Sequence, residues 1–214
     1  MKNPWCAIPL SDYEAHMDLP TVGQAALIAD EFARVLDCYE PSSVSVLGCA
    51  GGNGLDRVAG TTVRRLVAVD INPDYVATTL TRYRQRVDGL EVIVADVQTD
   101  AQVFEPVGLV YAALLFEHVD LPRSLRFVRR HCQPDGIFAA LLQLPSADIA
   151  EVTPSPYVSL RQLSTSMRLV PAAQFHQQAS NAGFVPISSK PIAATGGKSF
   201  TLEIFQLKRT SAAT

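Results

Sequence analysis

Apolar residues recur along this chain first at helical and then at strand spacing, and that alternation organises the sequence. Val22, Ala25, Ala29, Phe32 and Leu36 fall three or four positions apart and predict a helix that Pro41 ends. TVGQ, residues 21–24, has the form of a capping box, with the threonine hydroxyl and glutamine amide satisfying free backbone donors at its start. SVSVLG then reads as a strand, NGLDRV as the start of a helix, RLVAVD as a second strand and INPDYVATTLTRYRQRV as a second full helix. Asn72 is placed to cap that helix, Pro73 suits its first turn, and Val76, Leu80, Tyr83 and Val87 form its predicted buried stripe. LEVIVAD, VGLVYAALL and GIFAALLQL are near-continuous apolar runs, as expected of strands covered on both faces. The pattern therefore predicts an α/β protein, with a mostly parallel sheet and helices on both faces.

The rhythm changes in the last third. A Pro/Ser-rich stretch over residues 146–169 precedes a helix near residues 171–182, which Gly183 closes. FVPISSKPIAA and SFTLEIFQLK, separated by TGG, predict an antiparallel hairpin at the sheet edge. With no repeat or linker, residues 1–214 read as one domain. Its expected parts are an N-terminal lid or helix (1–40), a binding core (41–145), a cover (146–170), and a last helix with the hairpin (171–209).

Composition narrows the function. At 48% hydrophobic and 18% charged residues, the chain has the make-up of a protein with a sizeable core. A net charge of -3 provides no overall positive field to attract nucleic acid or anionic lipid, so neither partner is expected. Arg123, Arg126, Arg129 and Arg130 have the spacing of a solvated helix face, with an anion patch as the alternative. Cys6, Cys38, Cys49 and Cys132 are scattered, without CxxC pairing, secretory signal or membrane-length apolar run, which predicts a reduced, cytoplasmic protein. His16, His118, His131 and His176 are equally dispersed, and no metal site is expected.

The chemistry concentrates at predicted strand ends. In VLGCAGGNGL a strand runs into small residues, and Gly48, Cys49, Ala50 and Gly52 let backbone amides approach a ligand at the carboxyl edge of a sheet. Alone, such a turn also suits nicotinamide enzymes or a plain tight bend. The next strand ends in Asp70, where a carboxylate can accept both hydroxyls of an adenosine ribose, and the third ends in Asp96, which can receive an adenine amine. Ile71 and Val97 supply apolar walls for the ring. Each aspartate read singly is equally a solvated strand end or a helix cap.

Through VLGCAGGNGL, LVAVDINP, VIVADV and LVYAALLFEHV, in that order, the chain resembles the class I S-adenosylmethionine (SAM)-dependent methyltransferases. The resemblance implies a doubly wound, Rossmann-like sheet of seven strands closed by an antiparallel C-terminal pair. It implies SAM as cofactor, S-adenosylhomocysteine as product, methionine held by residues 48–52, ribose by Asp70 and adenine facing Asp96. Two departures stand out: Val46 occupies a position that is commonly acidic, and Ala50 one that is commonly glycine.

The resemblance also places YAALLFEHVD beneath the reactive sulfonium, with Ala112 and Ala113 packing around it. Glu117 and His118 are candidates for a general base or a hydrogen-bond partner, although capping and packing of the next helix is the favoured reading of both. In SDYEAHM, Tyr13 and Met17 are expected either to cover the cofactor or to pack as an amphipathic turn. Residues 153–169, with Tyr157, Arg161, Met167 and Arg168, are the expected wall of an acceptor pocket or a plain surface cover. The DPPY-like motif of amino-group nucleic-acid methylators is missing, so a small-molecule acceptor is expected. The alternatives are a SAM-binding protein without catalysis and a nicotinamide-dependent oxidoreductase. The second lacks YxxxK and has no role for Asp96.

Overall fold

The computed structural model of the chain describes residues 3–145, 153–193 and 198–209. One seven-stranded sheet has the order β3-β2-β1-β4-β5-β7-β6. Strands β1 (Ser43–Leu47), β2 (Arg65–Asp70), β3 (Leu90–Val94), β4 (Val107–Ala113) and β5 (Cys132–Gln143) run parallel, while β6 (Phe184–Ala193) and β7 (Ser199–Leu207) join antiparallel. This is the predicted doubly wound sheet with its C-terminal pair at one edge. The TGG connection lies outside the described residues.

The chain leaves β1 in one direction toward β2 and β3 and later returns on the other side through β4 and β5. The carboxyl ends of β1 and β4 therefore flank the switch point of the sheet, where a crevice opens. Leu47 pairs with both Val69 and Ala112, so the three strands end in register around it.

Helices cover both faces: α1 (Leu10–Met17), α2 (Gln24–Tyr39), α3 (Pro73–Tyr83), α4 (Leu121–His131), the single turn α5 (Leu163–Ser166) and α6 (Ala172–Asn181). Alternate strand residues feed opposite cores. Val67 and Val69 of β2 join Phe127 of α4 and Phe175 of α6, whereas Leu66 and Ala68 join Phe32 and Leu36 of α2. All four arginines of α4 lie on its exposed side, as their spacing predicts.

Several local expectations differ. The capping box does not form: α2 begins three residues after Thr21, behind a left-handed Gly23 at φ 56° and with no side-chain cap. Gln24 is instead buried. Asn72 does cap α3, accepting from the Asp74 amide at 2.9 Å. That helix buries Tyr75, Val76 and Thr79, leaves Leu80 40% exposed, and ends at Tyr83 before Val87. NGLDRV forms only a four-residue 3₁₀ turn, Leu55–Val58, in place of the expected start of a helix. β3 stops at Val94, leaving Asp96 two residues beyond it.

Candidate cofactor cleft and acceptor pocket

Above the switch point, Gly48, Ala50, Asp70, Ile71, Asp96, Val97 and Ala113 line one cleft. Gly48 stands at φ +71°, and a Cβ there would come within 3.2 Å of Leu115, itself a wall of the cleft. The Gly48 and Cys49 amides donate to the Val69 carbonyl at 2.8 and 3.0 Å, which locks the turn to β2. Ala50 also lies in the left-handed region, at φ 46°, where a side chain is disfavoured.

Asp70 is the centre of this arrangement. Its carboxylate accepts from the Ala50 and Asn72 amides, both at 2.9 Å, and is only 8% exposed. Burial raises its pKa, and those backbone donors oppose the rise by stabilising the anion. Each carboxylate oxygen keeps a further lone pair for a ligand hydroxyl. Asp96 accepts from the Gln98 amide at 2.9 Å and from its side-chain nitrogen at 3.1 Å, which fixes the carboxylate in the loop beyond β3.

The N-terminal segment closes the cleft from above. Trp5 meets Tyr13 and His118 edge to face at 5.5 and 4.9 Å, and Tyr13 stacks toward Tyr75 at 6.4 Å. Asn72 Nδ2 donates to the Trp5 carbonyl at 2.9 Å, and the Tyr75 hydroxyl donates to the Ile8 carbonyl at 3.0 Å. Burial, then the Asp70 and Glu14 charges, push the Tyr13 hydroxyl pKa upward, so it stays protonated. Asn3, Trp5 and Tyr75 line the same cleft and were not among the residues expected to do so. The paired aromatics Trp5 and Tyr13 were the available signal, but only the fold brings Tyr75 beneath them.

An adjoining cavity of about 240 Å³ takes in Tyr13, Met17, Cys49, Ala50 and Ala113, together with Glu14 and Arg82. Burial pushes the Cys49 thiol pKa up, leaving it a small apolar wall. Two expected site residues do not line these cavities. A Cβ on Gly52 would meet Tyr83 and Thr79 of α3, and Ala112 lies fully buried in the core shared with Phe127 and Phe175.

A third pocket, walled by Trp5, Tyr13, Met17, Leu114, His118, Leu160, Leu163 and Met167, adjoins the other two. Tyr13 lines all three cavities, and His118 and Leu114 line both the first and the third. Of the expected cover residues, Met167 reaches the pocket, while Tyr157 packs on the apolar group formed by Ile8, Leu160 and Leu163. Arg161 and Arg168 are exposed. Leu114 stands in a left-handed conformation at φ 52°, a strained position at the junction of the two cavities.

His118 and Glu117 part company. Burial lowers the His118 pKa to about 4, which keeps the ring neutral at physiological pH, and its Nδ1 has no hydrogen-bond partner among the described residues. Glu117 is 2% exposed, accepts from the Gln143 amide at 2.7 Å, and is pushed up to about 7 by burial. Its Oε2 is buried without a partner among the described residues.

Together, these residues fit an adenosyl ligand: a bend of small residues, two carboxylates and apolar walls on one cleft. Residues 46–140 match a family model described as a methyltransferase domain. The chain resembles the class I SAM-dependent methyltransferases in both sequence and fold. A structure of the N-methyltransferase NodS from Bradyrhizobium japonicum WM9 in complex with S-adenosyl-L-homocysteine superposes with a TM-score of 0.62 at 14% identity, covering 98% of this chain and 94% of that one. The [4+2]-cyclase SpnF gives 0.67 at 12% identity, covering 85% and 81%. At these identities the likeness establishes the Rossmann-like methyltransferase fold. No curated protein matches the sequence. Among the described residues, no group of three or more histidine, cysteine or acidic side chains is placed to hold a metal, and no helix is long and apolar enough to cross a membrane.

Proposed function

We propose that this chain transfers the methyl group of SAM to a small-molecule acceptor seated in the pocket over Leu114 and His118. The observation that carries the reading is the convergence of Asp70, Asp96, Gly48 and Ala50 on one cleft at the switch point of the sheet. Asp70 takes the ribose hydroxyls, and Asp96 faces the adenine between Ile71 and Val97. When bound, SAM supplies an electrophilic methyl on a cationic sulfur that leaves as a neutral thioether.

Such a displacement requires no protonation of the leaving group, so the chain's task is alignment and exclusion of water. Trp5 and Tyr13 exclude water from above, and Leu114 separates the cofactor cleft from the acceptor pocket. His118 lines both cavities as a neutral imidazole and is placed to accept a proton from an acceptor hydroxyl or amine as the methyl arrives. The acceptor pocket has apolar walls from Leu160, Leu163 and Met167, with His16, Gln24, Gln143, Thr153 and the Lys198 ammonium as polar contacts. That mixture suits a compact molecule with an apolar body.

Calorimetry with S-adenosylhomocysteine and with NAD, followed by labelled methyl transfer to a metabolite panel and to bulk RNA, tests the proposal. Micromolar binding of S-adenosylhomocysteine with no response to NAD is expected, with label appearing in a metabolite. Binding of NAD instead, or label only in RNA, would overturn it.

A further inference from the structure

The second cavity adjoins the cofactor cleft through Tyr13, Gly48, Ala50 and Ala113, and its charge is unevenly placed. Val46, Ala25, Ile28 and Phe32 give it apolar walls, so the end of β1 contributes no charge. The charged groups come from elsewhere: Glu14 and Asp18 at the end of α1, and Arg82 on α3. Arg82 grips Glu14 with both terminal nitrogens, the Nη2 to Oε2 contact being 3.0 Å, and Arg82 Nη1 also donates to the Gly51 carbonyl at 3.1 Å. The pair lies directly on the turn: a Cβ on Gly51 would fall 2.3 Å from Glu14 Oε1 and 2.6 Å from Arg82 Nη1.

We infer that this opposed pair, Glu14 and Arg82 meeting over Gly51, reads the amino-acid end of the cofactor, Glu14 taking its ammonium and Arg82 its carboxylate. The inference rests on the SAM reading above, because the adenosyl part fills the cleft of Asp70 and Asp96 and its amino-acid tail must then enter the adjoining cavity. An α-amino acid carries one positive and one negative group on the same carbon, and a guanidinium beside a carboxylate is the complementary arrangement. The two side chains are 35% and 42% exposed, so their mutual ion pair is weak and opens readily to a ligand of matching charge. Glu14 belongs to α1, as does Tyr13 over the adenosyl cleft. The same short helix thus covers one end of the ligand and reads the other.

The test compares S-adenosylhomocysteine with 5′-methylthioadenosine, which has the adenosine and thioether but no amino acid, by calorimetry on the full chain. The wild-type protein is expected to bind S-adenosylhomocysteine at least about tenfold more tightly. Glu14→Gln and Arg82→Gln should each weaken that ligand about tenfold to a hundredfold, the range of a lost charged hydrogen bond, and leave methylthioadenosine within about twofold. Circular dichroism confirms that each variant is folded. Equal wild-type affinity for the two ligands overturns the inference, as does a loss shared by both ligands, which would make the ion pair a clasp that only holds α1. Failure of the wild type to bind either ligand overturns the SAM reading itself.

Discussion

The Asp70 carboxylate and the Ala50 amide are joined by a hydrogen bond of 2.9 Å, so the acid that ends β2 also fixes the turn that follows β1. Its other oxygen holds the Asn72 amide, at the cap of α3, at the same distance. One side chain therefore sets the shape of the cleft and contributes to its floor.

Removing that carboxylate should affect binding and folding together. Asp70→Ala is expected to lose about 1–3 kcal/mol of S-adenosylhomocysteine affinity, the scale of an unmade hydrogen-bond set, and to lower the melting temperature because two backbone amides, one of them buried, lose their acceptor. Asp70→Asn should also be destabilising, since its amide nitrogen must face one of the two backbone N–H donors. Calorimetry and thermal melts measure both effects. Unchanged affinity in a folded Asp70→Ala protein would remove Asp70 from the site.

Ala50 stands at φ 46° in a turn it shares with Gly48, Cys49, Gly51 and Gly52, and its Cβ makes that conformation unfavourable by roughly 1–2 kcal/mol. Glycine removes the strain but gives the unfolded chain more freedom, which offsets part of the gain. Ala50→Gly is thus expected to raise stability by about 0.5–1 kcal/mol, whereas most alanine-to-glycine changes lower it. Chemical denaturation provides the measurement, and a loss of stability above about 0.5 kcal/mol would contradict the strain argument.

The sequence made the sheet legible because its apolar runs are long, uninterrupted and separated by glycines and prolines. Asp70 was legible for the same reason, as the last residue of RLVAVD. Local features failed where tertiary packing overrode them. Thr21 and Gln24 have the right spacing for a capping box, yet the chain turns through Leu19 to Gly23 first and Gln24 is drawn into the wall of the third pocket. Leu80 fits the helical stripe, but Thr79 faces inward instead, because its hydroxyl donates to the Ala50 carbonyl at 2.8 Å. Trp5 had no periodicity to reveal it, since its place over His118 depends on the docking of a segment far away in sequence.

Glu117 should leave a signature in the pH dependence of stability. Burial raises its pKa from an ordinary 4.5 to about 7, so the folded protein holds this proton over a range in which the unfolded chain has released it. The stabilising contribution is complete below about pH 4.5 and is lost as pH rises through about 7. His118 acts in the opposite sense. Its pKa falls from 6.5 to about 4, so its contribution is present above about pH 6.5 and lost as pH drops toward 4. Glu117→Gln retains an acceptor for the Gln143 amide and removes the titration, so it should stabilise the protein at pH 8 by up to about 3 kcal/mol relative to its effect at pH 4.5. Denaturation of both proteins at the two pH values measures the difference. A difference that does not change with pH would show that Glu117 ionises normally.

Gly52 separates a structural role from a binding one. It stands at φ +89°, and a Cβ there would lie 2.5 Å from Tyr83 Cε2 and 3.2 Å from Thr79 Cγ2. Both contacts belong to α3. Gly52→Ala therefore combines a disfavoured backbone conformation with overpacking, and a loss of about 2–4 kcal/mol in stability is expected. Thr79 also holds the Ala50 carbonyl, and Tyr75 and Arg82 of α3 line the two cofactor cavities, so displacement of α3 reaches the ligand through side chains that shift but are not removed. Ligand affinity, measured below the melting transition, should then fall less than in Asp70→Ala. A variant of wild-type stability that no longer bound S-adenosylhomocysteine would reverse the assignment and put Gly52 against the ligand.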